Sequence, residues 1–169
     1  MDASSSIPSG TIDPEIAFRL ASDRQNFALG AAGGLVAMLA GTSLWVAITV
    51  LSNYQFGYMA VGVGFLVGLG VQKLGRGFEP RFRYLGAGLT LIGCVLGNLF
   101  TGCELIAMDQ KVGFARVVSV LTPVVAWDIL AAMFSPMDIL FYALGAMAGW
   151  KYSAVGAPPR PAAPALRGT

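Results

Sequence analysis

Few side chains in this sequence have the types and spacing that chemistry needs. The chain contains no histidine, so it lacks imidazole as a general base near neutral pH and as a metal ligand. Nucleophilic schemes that pair serine or cysteine with histidine are therefore excluded. Cys94 and Cys103 fall in one predicted helix, on opposite sides of its axis. We interpret them as packing residues, with a disulfide between two chains at Cys103 as the alternative.

Acidic side chains in the second half of the chain are the remaining candidates for a reactive site. The expected roles are helix capping and contact with solvent. The alternative hypothesis is that these acids gather into an outward-facing site for a cation or a lipid headgroup, and a membrane enzyme acting on lipid would need them to hold a metal. The acids concerned are Glu104, Asp109, Asp128 and Asp138. The sequence itself predicts no catalytic, cofactor or metal site.

Three uncharged polar residues, Thr90, Asn98 and Thr101, lie within one apolar segment. Such residues commonly form hydrogen bonds between helices in lipid. They also suit a narrow polar path, as in a small oligomeric transporter or channel subunit whose pore they line. No ionisable residue lies near the middle of a predicted crossing, where transport sites usually carry one.

The composition indicates that lipid surrounds these residues. Hydrophobic residues make up 56% of the 169 residues and charged residues 12%, against about 25% charged in a typical soluble domain. No charged residue occurs between Arg24 and Lys73. A net charge of +2 is too small to favour nucleic acid as a partner.

Four apolar segments are predicted to cross a bilayer, which takes about 17 to 25 helical residues. The predicted fold class is therefore all-α, an integral membrane four-helix bundle with outer interfacial helices between the third and fourth crossings. The membrane domain covers 28–153. The predicted crossings are 28–51, 56–72, 84–104 and 136–152, with interfacial helices over 113–134.

Local signals set the ends of several elements. Residues 1–27 are predicted to be a disordered start and an amphipathic lead-in helix capped by Asp13, and residues 154–169 a flexible tail rich in proline and alanine. A polar turn is expected over 52–55. Thr122 and Ser135 each precede a proline and are predicted N-caps, with Asp138 completing a capping box.

Basic residues are distributed unevenly between the two sides of this four-crossing arrangement. Nine fall on the side that carries both termini, and Lys111 and Arg116 on the other. The positive-inside rule then predicts a protein of the bacterial inner membrane with both termini in the cytoplasm. The inner basic turn is also expected to contact anionic lipid. It comprises Lys73, Arg76, Arg81 and Arg83.

Small residues recur at helical spacing in all four segments. In lipid, such stripes let helix backbones approach closely and pack by van der Waals contact. We therefore predict that they are helix-contact surfaces. The predicted packing residues are Gly33, Ala37, Gly41, Ala60, Gly64, Gly68, Gly86, Gly93, Gly97, Gly145 and Gly149.

The glycine-rich runs Met59–Val71 and Leu85–Gly97, separated by the basic turn, resemble a loose group of uncharacterised bacterial inner-membrane proteins with a glycine-rich transmembrane hairpin. Members of that group often carry a zinc-ribbon-like segment before the first crossing. This chain has no cysteine pair there. The resemblance implies a multi-pass membrane fold and no particular activity.

Taken together, the sequence favours a small non-catalytic integral membrane protein. The expected role is a scaffold or accessory subunit that packs through its glycine-rich helix faces against itself or a larger membrane partner. The oligomeric transporter or channel subunit and the membrane enzyme acting on lipid remain the alternatives.

Overall fold

The computed structural model describes residues 14–52 and 57–157, and these residues form seven α-helices and no β-strand. The prediction of an all-α fold is confirmed for this part of the chain. The helices are α1 (Pro14–Asp23), α2 (Phe27–Ser52), α3 (Met59–Gly75), α4 (Pro80–Asp109), α5 (Phe114–Ser119), α6 (Pro123–Met133) and α7 (Pro136–Tyr152).

Two of these helices, α2 with 26 residues and α4 with 30, are long and apolar enough to cross a membrane. Helices α6 and α7 meet at a bend of 98° and would supply a third crossing if the pair is one broken span. Helix α3 is apolar but has 17 residues. By length and composition alone, the described residues therefore contain two to three candidate membrane spans.

The ends of α3 and α4 differ from the predicted ends. Helix α3 continues past Lys73 to Gly75, where Arg76 takes a left-handed conformation with φ of 48°. Helix α4 begins at Pro80, which occupies the first helical position, and continues beyond Glu104 to Asp109. The predicted ends were placed at charged residues. A charge limits the apolar stretch, but it does not end a helix.

Capping residues start α6 and α7 as predicted. The Thr122 side chain accepts a hydrogen bond from the backbone N–H of Val125 at 3.3 Å. Ser135 and Asp138 form the predicted capping box, in which the backbone N–H of Ser135 donates to the Asp138 carboxylate at 2.8 Å. Of the predicted polar turn over 52–55, Ser52 is the last residue of α2. The rest of that turn, the Asp13 cap, the start of the chain before it and the tail from 158 onward lie outside the described residues.

The first residues of the predicted tail are held in place. Ala154 is buried, and its carbonyl accepts a hydrogen bond from the Gln72 side chain at 3.1 Å. The N–H of Val155 donates to the carbonyl of Gly77 at 3.0 Å. The prediction that the flexible tail begins at 154 is therefore wrong, because this part of the chain packs on the α3–α4 turn.

Helices α2 and α4 run parallel to each other and are in direct contact. Helix α3, which lies between them in the sequence, runs antiparallel to both. At one end, Gly30 of α2 meets the ring of Phe82, and further along Trp45 packs on Gly97 of α4. Helix α3 runs the other way along α2, since Gly33 meets Gly70 near the end of α3. The chain therefore reverses direction twice between α2 and α4.

Helix α7 runs antiparallel to α4. Gly149 contacts Gly86 near the start of α4, and Tyr142 bonds Asn98 about three turns further along α4. The start of α2, the α3–α4 turn and the end of α7 thus meet at one end. The N–H of Asn26 donates to Gly75 O there, at 3.0 Å. We call this the basic end, and the opposite end, which carries α5 and α6, the far end.

Glycines permit the closest helix contacts. A Cβ at Gly33 would lie 2.5 Å from the carbonyl oxygen of Gly70, and one at Gly145 would lie 2.6 Å from that of Ala60. Real Cβ atoms do not approach backbone this closely. All the predicted packing residues are buried except Ala37, which is partly buried. The small-residue stripes are therefore occupied by contacts within the chain.

Both cysteines are buried, each in a different apolar cluster. Cys94 packs with Met38, Trp45 and Val67, whereas Cys103 packs with Leu99 and Ile129, where α5 and α6 cover α4. Neither side chain exposes any surface. Both cysteines therefore serve as packing residues between helices. The Cys103 thiol is not exposed on the surface of this fold, so it could not form a disulfide with a second chain.

Candidate functional site

The most extensive polar contact inside the helix assembly joins α4 to α7. The Asn98 amide donates to the Tyr142 hydroxyl at 2.7 Å, and that hydroxyl donates to the backbone carbonyl of Cys94 at 3.2 Å. Asn98 is 1% exposed. This chain of hydrogen bonds fixes the rotation of α7 against α4, the role in interhelical bonding that the sequence suggests for Asn98.

Three further polar side chains lie nearby on the facing surfaces of α2 and α4. Trp45, Thr49 and Thr101 are all buried. Within the described residues, the Trp45 Nε1 and the two threonine hydroxyls find no hydrogen-bond partner. Since Trp45 packs on Gly97 and the helices are parallel, Thr49 and Thr101 are placed one turn beyond that contact toward the far end. This half of the interior is more polar than the half near the basic end.

Thr90 has a different role from the one expected of it. Its hydroxyl donates to the carbonyl of Gly86 in its own helix at 2.7 Å, so it forms no bond between helices. A threonine of α2 bonds to α4 instead: Thr42 donates to Gly93 O at 3.2 Å. Sequence reasoning missed Thr42 because a threonine in an apolar segment gives no sign of which helix it faces.

The burial of Thr90, Asn98 and Thr101 bears on the pore hypothesis. Each is at most 1% exposed, because other helices of the same chain cover it. Chains that associated through their outer surfaces would leave these side chains inside each protomer. The structure therefore does not bring them to a surface where oligomerisation would build a pore.

The four acidic residues of the alternative cation or lipid-headgroup site do not gather into one site. Glu104 borders a groove of about 360 Å³ with Ser43 and Phe114, Asp128 lies on the exposed side of α6, and Asp138 caps α7. Asp109 is exposed at the end of α4. Over 14–52 and 57–157, no three His, Cys, Asp or Glu side chains come together in an arrangement that would hold a metal.

Positive charge is concentrated at the basic end. Arg81 pairs with Glu79 at 2.9 Å, and its guanidinium lies over the rings of Phe27 and Phe82 at 5.6 Å and 5.4 Å. Gln25 donates to the same glutamate at 3.1 Å. The described basic residues at this end are Arg19, Arg24, Lys73, Arg76, Arg81, Arg83 and Lys151. Only Lys111 and Arg116 lie at the far end of the described chain.

The Tyr142 hydrogen bonds lead to a testable expectation. Tyr142→Phe keeps the ring and removes both bonds of the hydroxyl, and we expect it to lower the free energy of unfolding by about 1 kcal/mol. Thermal unfolding of the purified protein in detergent measures the change. Tyr84→Phe, at a residue 67% exposed, is the control and should unfold like the wild type. Equal stability of the two variants would contradict a structural role for this network.

No protein-family model, curated protein or solved structure matches the chain significantly. The site is therefore defined by geometry alone, as a polar interior toward the far end and a cationic surface at the basic end.

Proposed function

We propose that this protein is a multi-pass protein of a bacterial inner membrane that serves as a non-catalytic accessory or scaffold subunit. The observation that carries the proposal is the outer surface of the helices. Large apolar side chains are exposed on it, including Val36 (69%), Leu51 (84%) and Ile139 (63%). Exposed large apolar side chains also occur on the other long helices, such as Phe65 on α3 and Leu91 on α4. Extensive exposed apolar surface marks contact with lipid or with another protein, so lipid and a membrane partner are the fitting environment.

The relative directions of the helices support four crossings. If α2 and α4 both span the bilayer, their parallel arrangement requires the chain between them to return. Helix α3 is the only helix between them in the described chain, and its 17 residues extend about 25 Å at 1.5 Å per residue. That length is within the lower range for a transmembrane helix. Helix α3 is therefore assigned as the second crossing.

Helix α7 is assigned as the fourth crossing and α6 as an interfacial helix. Helix α7 follows α4 from Asn98 back to Gly86, a distance of about 18 Å at 1.5 Å per residue, which is more than half of a hydrocarbon core about 30 Å thick. The 98° bend between α6 and α7 turns α6 across the far end. Its exposed face carries Val124 and Trp127, each 70% exposed, as expected of a helix that contacts the acyl chains at the interface.

The concentration of cations at one end supports the orientation. Both termini lead from the basic end, where seven of the described basic residues lie, against two at the far end. Lysine and arginine are retained on the cytoplasmic side of a membrane protein. Both termini are therefore proposed to lie in the cytoplasm, with α5 and α6 outside.

A partner would bind to a different surface from the glycine-rich helix faces that the sequence suggests. The glycine-rich faces are occupied by contacts within the chain, so a second copy or a larger subunit would meet the outer surface of large apolar residues instead. Such contacts rely on shape and van der Waals packing, because apolar side chains gain little in leaving lipid.

Photo-cross-linking in living cells tests this role. A photoreactive amino acid would replace Val36, Leu91, Val124 or Met147, which are exposed on α2, α4, α6 and α7 respectively. We expect a discrete protein adduct from one or two of these helix faces, with the other positions serving as internal controls. Adducts with lipid alone at all four positions would contradict the role of a subunit or scaffold.

A further inference from the structure

A groove of about 650 Å³ lies between α4 and α7 at the basic end. We propose that this groove binds one anionic phospholipid of the inner leaflet, with the phosphate between Arg83 and Lys151 and an acyl chain along the groove. Its walls are formed by Arg83, Ala87, Ala146, Met147, Ala148, Trp150, Lys151 and Tyr152. The inference rests on the membrane placement proposed above.

The groove results from two features of the α4–α7 interface. The two helix backbones nearly touch along one line, and the residues beside that line have short side chains. A Cβ at Gly86 would lie 2.6 Å from the carbonyl oxygen of Gly149, so the two backbones are nearly in contact there. Alongside that contact the facing side chains are alanines, with Ala87 on α4 and Ala146 on α7. Their short side chains leave an apolar channel that runs from the basic end toward the middle of the helices.

The charges at the mouth of the groove are not neutralised by the protein. Among the described residues, Arg83 and Lys151 form no ion pair. Glu79 lies close by and borders an adjoining cavity together with Arg83, but its carboxylate already accepts bonds from Arg81 and Gln25. Two cations at the mouth of an apolar groove therefore lack an anion, and a phosphodiester supplies one.

Aromatic side chains place the mouth of the groove at headgroup level. The rings of Tyr84 and Trp150 pack edge to face with centroids 4.6 Å apart, and the ammonium of Lys151 lies 5.8 Å from the ring centroid of Tyr152. Tyrosine and tryptophan concentrate at the boundary between hydrocarbon and headgroups, and a lysine there extends its charge toward water.

These features together fit a lipid better than a water-soluble anion. A free phosphate would use Arg83 and Lys151 and leave the apolar length of the groove unfilled. A zwitterionic lipid would fill the groove but bring a positive group close to the two cations. A basic pocket between helices on the cytoplasmic side is a known manner of binding anionic headgroups.

Native mass spectrometry of the full chain released from detergent tests the proposal, with phosphatidylglycerol and phosphatidylcholine as the probes. We expect the wild type to bind one phosphatidylglycerol saturably. The double variant Arg83→Gln, Lys151→Gln should bind it about 25-fold more weakly, at about fivefold for each basic residue. The control Lys73→Gln, Arg76→Gln removes the same charge from the same end, outside the groove. It should keep the one saturable site, since general contact of the basic turn with anionic lipid adds no saturable binding.

A second variant separates the groove from the charge. Ala87→Leu fills the channel and keeps both cations, and we expect at least about tenfold weaker binding of phosphatidylglycerol, because the chain loses its contact surface. Ala40→Leu, at an exposed position of α2, is its control. The proposal is overturned if the groove double variant and the Lys73→Gln, Arg76→Gln control lose the same affinity for phosphatidylglycerol. It is also overturned if Ala87→Leu binds this lipid as tightly as the wild type does. If Ala87→Leu does not fold, the two charge variants decide.

The outcomes distinguish this inference from the proposed function. A chain that does not fractionate with membranes would remove the membrane role and the lipid site together. A chain that is embedded in membranes, yet binds phosphatidylglycerol no better than phosphatidylcholine, would remove the lipid site alone.

Discussion

Replacing Gly64 by alanine is expected to disrupt the packing of α3 on α7 and to lower the free energy of unfolding by about 3 kcal/mol, the upper end of the usual cost of overpacking. The added Cβ would collide with the carbonyl of Gly145 and would lie 3.1 Å from the Thr90 side chain. A backbone carbonyl cannot rotate away as a side chain can, so the two helices have to separate. Thermal unfolding in detergent, followed by gel filtration, measures the loss.

The matched control for Gly64→Ala is Gly62→Ala. Gly62 lies in the same helix, and a Cβ there would meet no atom within 4 Å. Its replacement adds the same methyl group and the same gain in helix propensity without a collision. If both variants unfold at the same temperature, the contact between α3 and α7 does not hold the protein together as described.

Phe82→Ala is expected to have a comparable effect at the basic end. The ring is fully buried and packs against Gly30 of α2, Gly75 of α3 and Gly77 of the α3–α4 turn, with Phe27 edge to face at 5.6 Å. Removing it leaves a cavity where three elements meet, for which about 3 kcal/mol is expected. Chemical or thermal unfolding in detergent provides the measurement.

Phe65→Ala is the control for Phe82→Ala. Phe65 is 42% exposed on α3, and its ring packs edge to face on Tyr152 at 5.0 Å, so its removal gives up fewer protein contacts than the removal of the fully buried Phe82. We expect a loss of about 1 kcal/mol, the usual contribution of one aromatic pair, and no internal cavity. A loss for Phe65 as large as that for Phe82 would contradict the position of Phe82 at the centre of the basic end.

The sequence predicted helix α7 and the caps before it closely, and the ends of α4 poorly. Ser135, Pro136 and Asp138 form a local signal that acts within one turn, so it can be read without knowledge of the fold. The start of α4 was assigned to Tyr84 because Arg81 and Arg83 interrupt the apolar stretch. In the structure Pro80 begins the helix, and these arginines extend from its first turn.

The contacts that join distant parts of the chain could not be predicted in the same way. The bond from Thr42 to Gly93 and that from Gln72 to Ala154 depend on which faces of two helices meet. That choice is made by packing of the whole assembly. The glycine stripes correctly indicated close helix contact, but a stripe looks the same whether its partner is another helix of the same chain or another protein.

The most direct test of the account is the accessibility of single cysteines in cells. Cys94 and Cys103 expose no surface, so they should not react with a membrane-impermeant maleimide. New cysteines would replace Tyr58 and Gly113 toward the far end, and Lys73 and Gly156 at the basic end, all of them at exposed positions. Four crossings with both termini inside predict labelling at Tyr58 and Gly113 in intact spheroplasts, and labelling at Lys73 and Gly156 only after the inner membrane is permeabilised. Labelling at Lys73 from outside, or none at Gly113 until permeabilisation, would contradict the account.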